Sequence, residues 1–388
     1  MVTVREFQVD ISDADITDLR ARLRNTRWPD RETVSDWSQG IPTEYVRELA
    51  AYWADEYDMR RLADRLNRFP QFRASIGGLD IHFLHVRSPH ENARPLLMTH
   101  GWPGSVLEFL AVLEPLTDPT KHGGTERDAF HLVVPALPGY GFSGKPTAPG
   151  TGLERIGEAW DELMVGLGYP RYYAQGGDWG GLLTATMASK PPAGLLGVHL
   201  NIALASPQAL AGLGELTEVE SGLGGLASYQ QHEAGYSAQQ STRPQTLGYG
   251  LADSPVGQLA WIVEKFYAWT DCAGHPENAV SRDEMLDNVM LYWLTNSAAS
   301  SARLYWESFV SLLSGFPEVS LPTAYTQFPK ELFTMTERWL RTRFTGLVYY
   351  QAAERGGHFA ALEQPELFVR EVRAGFRAIE SVAPVNPG

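Results

Sequence analysis

The chain has 388 residues, 44% of them hydrophobic and 20% charged, with a formal charge of −14. That length is too great for one small core and fits one large domain with elaborations, or two domains, of ordinary globular composition. The negative charge argues against nucleic acid and anionic membrane as partners, since both require a basic surface.

Met1 to Asp15 contains no apolar leader core, and no stretch approaches the roughly 18–20 apolar residues of a membrane span. A cytoplasmic protein without a membrane anchor is expected. One cysteine, Cys272, allows no intrachain disulfide, so an oxidising compartment is not required. Self-association into a homo-oligomer is compatible with the sequence.

Residues 1–70 read as helical and polar. Ser12 is placed to cap a helix, with Asp15 three residues on, and Ile16, Leu19 and Leu23 follow at helical spacing. Val46, Leu49, Ala50, Trp53 and Tyr57 mark a second helix. Trp28-Pro29-Asp30 and Gly40-Ile41-Pro42 break the pattern between them. From about residue 72 the texture changes. Phe72 to Val86 reads as two strands around Gly77-Gly78. Short apolar runs follow at Pro95 to Thr99, Phe130 to Pro135, Tyr172 to Gln175 and Leu195 to Leu200, with helical segments such as Leu153 to Leu167 between them. Strands alternating with helices predict an α/β fold with a mostly parallel, buried central sheet. The right-handed crossover rule then lines up the loops after those strands along one edge.

Residues 207–315 break the alternation. Leu259, Ile262, Val263, Phe266 and Trp269 form one helical stripe, and Leu286, Val289, Met290, Trp293 and Leu294 another. This segment reads as a helical cap inserted between a first part of the core (71–206) and a second (316–388). Strand texture resumes at Val319 to Gln327 and at Thr345 to Tyr350, and a last helix covers about Pro365 to Ile379.

Gly176-Gly177-Asp178-Trp179-Gly180 directly follows an apolar run and has the small-x-nucleophile-x-small form of a nucleophile elbow, with aspartate in the nucleophile position. Glycines fit there because the strand-to-helix turn is sharp and the nucleophile takes an unusual backbone conformation. A carboxylate that attacks carbon makes an alkyl ester, so the expected substrate carries an electrophilic sp³ carbon. Downstream, Gly356-Gly357-His358-Phe359 puts a histidine on a glycine loop after a late strand. Glu331 follows the strand before it. Nucleophile, acid and histidine thus occur in the chain order of an α/β-hydrolase triad. His100-Gly101-Trp102-Pro103-Gly104 follows an early strand, where the Trp102 backbone N–H can pair with that of Trp179 as an oxyanion hole, each donor worth roughly 10²–10³ in rate. His100 itself is expected to hold the loop rather than to act as a base.

Gly139-Tyr140-Gly141-Phe142-Ser143-Gly144 is a literal G-x-G-x-x-G, but Pro146 and Pro149 stand where a nucleotide-binding helix would open. No nucleotide or other cofactor is expected. No metal is expected either: there is no H-E-x-x-H, and His82 and His85 fall on opposite faces of a strand.

Together these motifs resemble the microsomal-type epoxide hydrolases of the α/β-hydrolase superfamily. The resemblance spans nearly the whole chain, including Trp28-Pro29-Asp30 in the N-terminal segment peculiar to that family. It implies an α/β-hydrolase fold with a helical cap and a helical N-terminal extension, and hydrolysis of an epoxide, hydrophobic or aromatic, to a vicinal diol through an Asp178 ester, with water as the second substrate. It further implies two cap tyrosines that hold the epoxide oxygen, matched by Tyr236 in Glu233-Ala234-Gly235-Tyr236 and by Tyr305 in Arg303-Leu304-Tyr305. The membrane anchor of the animal enzymes is absent from this sequence. Bacterial relatives of this kind act in detoxification and in natural-product pathways, including antibiotic biosynthesis. Two other readings stay open at this point: a haloalkane dehalogenase, which shares the aspartate nucleophile, and a non-catalytic ligand-binding protein of the same fold.

Overall fold

The structure is a computed structural model that describes residues 2–313 and 315–382; Ser314 of the expected cap and the last six residues of the expected second core part lie outside the described residues. Nine strands form one sheet: β1 (Val4–Phe7), β2 (Gln71–Ile76), β3 (Leu79–Val86), β4 (Arg94–Thr99), β5 (Phe130–Pro135), β6 (Tyr172–Gly176), β7 (Leu195–Leu200), β8 (Thr323–Gln327) and β9 (Leu347–Ala352). Their order is β1-β2-β3-β5-β4-β6-β7-β8-β9. The pairs β1/β2, β2/β3 and β3/β5 are antiparallel and the remaining five are parallel. Every residue of β6 and β8 is buried, as expected for parallel strands covered on both faces.

The four middle parallel strands, β4, β6, β7 and β8, end on the same edge and aim their following loops at one place. Helices Leu153–Gly166, Asp178–Ser189 and Pro365–Val382 cover the sheet faces. Between β7 and β8 the chain is helical, with Gly235–Thr242, Pro244–Asp253, Pro255–Trp269, Arg282–Leu294 and Ala298–Leu313 as its longer helices.

Ser12 does cap helix Asp13–Arg24, accepting from the Asp15 N–H at 3.1 Å, and Thr43–Asp55 buries Val46, Leu49, Ala50 and Trp53 of the expected stripe, while Tyr57 lies just past the helix end. Two expectations need correction. The N-terminal region is not wholly helical: Val4–Phe7 is an edge strand, in register with β2 from Val4↔Ala74 to Phe7↔Gln71. Four residues are too few to show a period, and the strand depends on partners far along the chain. Arg5 pairs with Asp80 at 2.7 Å, and the Arg73 guanidinium lies 4.2 Å from the Phe7 ring centre. Strand β8 begins at Thr323, not Val319, because Pro322 has no N–H to give the ladder and only accepts from Val198.

Candidate active site

The turn from β6 into helix Asp178–Ser189 holds Asp178 at φ 50°, a left-handed conformation that costs a non-glycine residue of the order of 1–3 kcal/mol and is found where function fixes it. Its flanking glycines are required by space. A Cβ on Gly176 would fall 2.1 Å from the Gly180 carbonyl oxygen, and one on Gly180 would fall 1.9 Å from that of Thr99.

Asp178 is engaged on both carboxylate oxygens. The Trp102 backbone N–H donates to Oδ1 at 2.7 Å, and His358 Nε2 lies 3.3 Å from Oδ2. His358 Nδ1 in turn lies 2.6 Å from Glu331 Oε1, which also accepts the Leu332 N–H at 2.7 Å. Both Glu331 and His358 are buried. Burial works against a charged imidazole here, but the Glu331 carboxylate and then Asp178 outweigh it and hold His358 well above its ordinary range. The Trp179 N–H belongs to the first turn of the helix, whose N–H groups have no partner within the helix.

The loop carrying Trp102 is fastened from the helical segment. Asn288 Nδ2 donates to the Pro103 carbonyl at 2.7 Å, Ser105 donates to Asn288 Oδ1 at 2.8 Å, and the Tyr292 hydroxyl donates to the Gly104 carbonyl at 2.8 Å. His100 is occupied on both ring nitrogens: Nδ1 lies 2.9 Å from the Gly101 carbonyl and Nε2 accepts the Leu137 N–H at 3.2 Å. Burial lowers it to about 4, so it stays neutral and holds the loop. The G-x-G-x-x-G segment closes on itself through Gly139 N–H to the Gly144 carbonyl at 2.9 Å, and Ser300 donates to the Gly139 carbonyl at 2.5 Å. It is a tight turn under the helical segment.

Tyr236, on helix Gly235–Thr242, and Tyr305, on helix Ala298–Leu313, converge on the Trp102 and Trp179 rings that flank Asp178. Their ring centres are 5.8 Å apart. Tyr236 stacks on Trp102 at 5.0 Å, and Tyr305 meets Trp179 edge-on at 4.7 Å. Both phenols are buried, and burial, with the adjoining tyrosine and then Asp178 adding to it, holds each well above its ordinary range, so both stay protonated donors.

Three contributors escape sequence reasoning. Tyr229 donates to the Tyr236 hydroxyl at 3.2 Å. Trp269 stands 5.0 Å from the His358 ring, and its carbonyl accepts the His358 N–H at 2.9 Å. Lys265, buried against Glu264, places Nζ 4.7 Å from the Tyr236 ring centre. Trp269 and Lys265 lie on one helix whose stripe reads as plain core packing, and no local motif marks Tyr229. Among the described residues no cluster of His, Cys, Asp and Glu could hold a metal ion, and no helix is long and apolar enough to cross a membrane.

Residues 4–109 match the family model of the epoxide hydrolase N terminus, and residues 94–212 match that of the alpha/beta hydrolase fold. The chain is 52% identical to an inferred epoxide hydrolase of Stigmatella aurantiaca (97% of this chain, 86% of the relative). It is 36% identical to epoxide hydrolase 1 of Oryctolagus cuniculus (95% and 88%). Its fold superposes on the crystal structure of juvenile hormone epoxide hydrolase from the silkworm Bombyx mori with a TM-score of 0.90, at 33% identity, over 98% of this chain and 96% of that one.

Proposed function

The chain belongs to the epoxide hydrolases of α/β-hydrolase fold, enzymes that add water to an epoxide to give a diol, and from that premise we propose that Asp178 is the nucleophile of a two-step reaction. The observation that carries this is the continuous chain Glu331–His358–Asp178, with the Trp102 N–H on the far oxygen of the same carboxylate.

Trp102 engages Oδ1, so Oδ2 is the attacking atom. Tyr236 and Tyr305 donate hydrogen bonds to the epoxide oxygen. Oδ2 forms a bond to a ring carbon, the carbon–oxygen bond opposite breaks, and the epoxide oxygen takes a proton from one of the two phenols. The product is a glycol monoester of Asp178. The resting imidazolium then returns a proton through solvent to that phenolate, which leaves His358 neutral and ready to act as a base. Loss of the Asp178 charge favours this release, because one of the two carboxylates that support the imidazolium has gone.

In the second step His358 removes a proton from water, and the hydroxide adds to Cγ of the ester. The oxyanion forms on Oδ1, where the Trp102 and Trp179 N–H groups stabilise it. The intermediate collapses with cleavage of the Cγ–Oδ2 bond, its hydroxyl proton passes to the departing alkoxide, and the diol leaves. Asp178 is again a carboxylate paired with imidazolium. Glu331 orients the ring and supports its charge. Hydroxyl donors suit an ether oxygen that must be protonated, whereas a departing halide needs no proton; this favours an epoxide over a haloalkane.

The rings of Trp102, Trp261, Trp269, Tyr236 and Tyr305 gather around this point, which favours a hydrophobic or aromatic epoxide. The segment 207–315 supplies both tyrosines and acts as the cap. A single turnover in heavy-oxygen water tests the scheme: the label should enter Asp178 first and leave the first diol unlabelled. Label in that first diol would mean direct attack by water. Asp178→Asn should form no ester, and His358→Gln should accumulate it as an added substrate mass on the intact protein.

A further inference from the structure

Glu108 has no part in that scheme, yet its carboxyl is enclosed beside the reacting groups. It lies on the short turn Val106–Phe109, just beyond the Trp102 donor. Together with Asp178 and His358 it bounds a cavity of about 10 Å³, the space of a single water-sized sphere. Glycines leave this room. A Cβ on Gly101 would fall 2.0 Å from Asp178 Oδ1, and one on Gly104 would fall 1.3 Å from Glu108 Oε1. The Glu108 carboxyl therefore fills the place that a side chain at position 104 would take. Such a buried carboxyl is costly unless it has polar partners; the Ser105 backbone supplies one hydrogen bond, and a carboxyl has lone pairs for more. Burial pushes it up to about 8, with the Asp178 charge adding to the rise and the His358 charge opposing it. Tyr292, whose hydroxyl is held by the Gly104 carbonyl, is the other titratable group that faces it. Neutral or ionised, the carboxyl keeps an oxygen able to accept a hydrogen bond.

We propose that this cavity seats the water that cleaves the Asp178 ester, and that Glu108 is its second anchor. One hydrogen of the water points to His358 Nε2 and the other to the Glu108 carboxyl, which turns an oxygen lone pair toward Cγ of Asp178. The O–H bond on the histidine side breaks as the oxygen–carbon bond forms; the hydrogen on the Glu108 side stays on the oxygen, so Glu108 moves no net charge. A base acting alone fixes one direction of a water molecule, and a second acceptor fixes the attack angle. The inference rests on the Asp178 ester of the proposed function.

The test separates the two half-reactions. Tryptophan fluorescence follows ester formation in a single turnover, since Trp102 and Trp179 flank Asp178, and quenched-flow mass measurement follows ester decay. Glu108→Leu removes the acceptor, and Glu108→Gln retains a carbonyl oxygen. Ester formation should be unchanged in Glu108→Leu and Glu108→Gln. Ester decay should slow on the order of 10–100-fold in Glu108→Leu, the worth of one strong hydrogen bond, and by less in Glu108→Gln. Unaltered decay in Glu108→Leu, or formation and decay falling by one common factor in every variant, would overturn the assignment. Should Glu108→Leu fail to fold, Glu108→Gln decides the matter in the same way. Absence of any ester in the native enzyme would instead remove the two-step reading itself, and the anchor with it.

Discussion

His358 Nε2 stands 3.3 Å from Asp178 Oδ2, so the proposed nucleophile and base are already paired before any substrate arrives. With Glu331 behind it, the imidazole is held well above its ordinary range and carries its proton through neutral pH. In the proposed scheme ester formation uses the carboxylate and not the neutral ring, and its rate constant should be flat between pH 6 and 8. Ester decay in that scheme needs the neutral ring. Alkylation of Asp178 removes one support of the imidazolium, so the proton leaves at lower pH in the ester than in the free enzyme, and decay should rise with pH before it levels. Single-turnover constants measured across this range check both slopes; a decay constant that falls as pH rises would contradict His358 as the base.

The phenols of Tyr236 and Tyr305 should act in the first half-reaction only. Both are buried and stay protonated. Removing one preorganised donor from a developing oxyanion typically costs a factor of roughly 10²–10³. Tyr236→Phe and Tyr305→Phe should each slow ester formation by about that much and leave ester decay untouched. The double variant should lose less than the product of the two, because the residues share one oxygen and act as a unit. Tyr229 donates to Tyr236 and fixes which way the Tyr236 hydrogen points, so Tyr229→Phe should show a weaker loss in the same step. Equal losses in both steps for any of these would assign the tyrosines to structure rather than to epoxide opening.

Space alone sets the cost of changing Gly180. Its Cβ would stand 1.9 Å from the Thr99 carbonyl and 2.8 Å from that of His100, backbone atoms that cannot step aside without separating β4 from the nucleophile helix. Overpacking in a well-packed interior costs typically 1–3 kcal/mol and occasionally more. Gly180→Ala should therefore lose at least that much stability in urea melts. Gly212→Ala, where a Cβ meets nothing within 4 Å, should melt like the native protein. Equal midpoints would show that the turn tolerates a side chain.

What could be read from sequence divides along a physical line. The buried parallel strands, the elbow, His358 and the loop at Trp102 were legible because each is a local pattern: an apolar run ended by glycines, with chemistry at the run's end. The position of Glu331 after β8 was legible through chain order, although the strand itself begins four residues later than its apolar texture suggests. Strand β1 was not legible, since its stability comes from pairing with residues about 70 positions away. Glu108, Tyr229 and Trp269 were equally hidden. Each looks like an ordinary helical residue until the sheet and the helical segment bring it to the nucleophile. Tyr236 and Tyr305 were singled out by resemblance, not by any periodicity.

The N-terminal segment reaches the chemistry through one buried carboxylate. Asp287, on helix Arg282–Leu294, is fully buried, accepts the Tyr57 hydroxyl at 2.6 Å, and lies 3.2 Å from Arg61 Nε and 2.5 Å from Arg65 Nη1. Tyr52 and Tyr45 add hydroxyl bonds to Asp283 at 2.8 Å and Glu277 at 3.0 Å. The next residue along that helix, Asn288, and then Tyr292 hold the carbonyls of Pro103 and Gly104 in the oxyanion loop. The segment thus braces the helix that braces the loop. Removing one member of a buried ion pair costs roughly 3–5 kcal/mol, and partial exposure of the two arginines puts Asp287→Asn toward the low end of that range. The variant should also slow ester formation and decay together, since the Trp102 N–H serves both steps, and both rates should recover toward native values as temperature is lowered away from the reduced melting point. A variant that melts early yet keeps both rate constants at every temperature would show that the brace supports stability alone and does not reach Trp102.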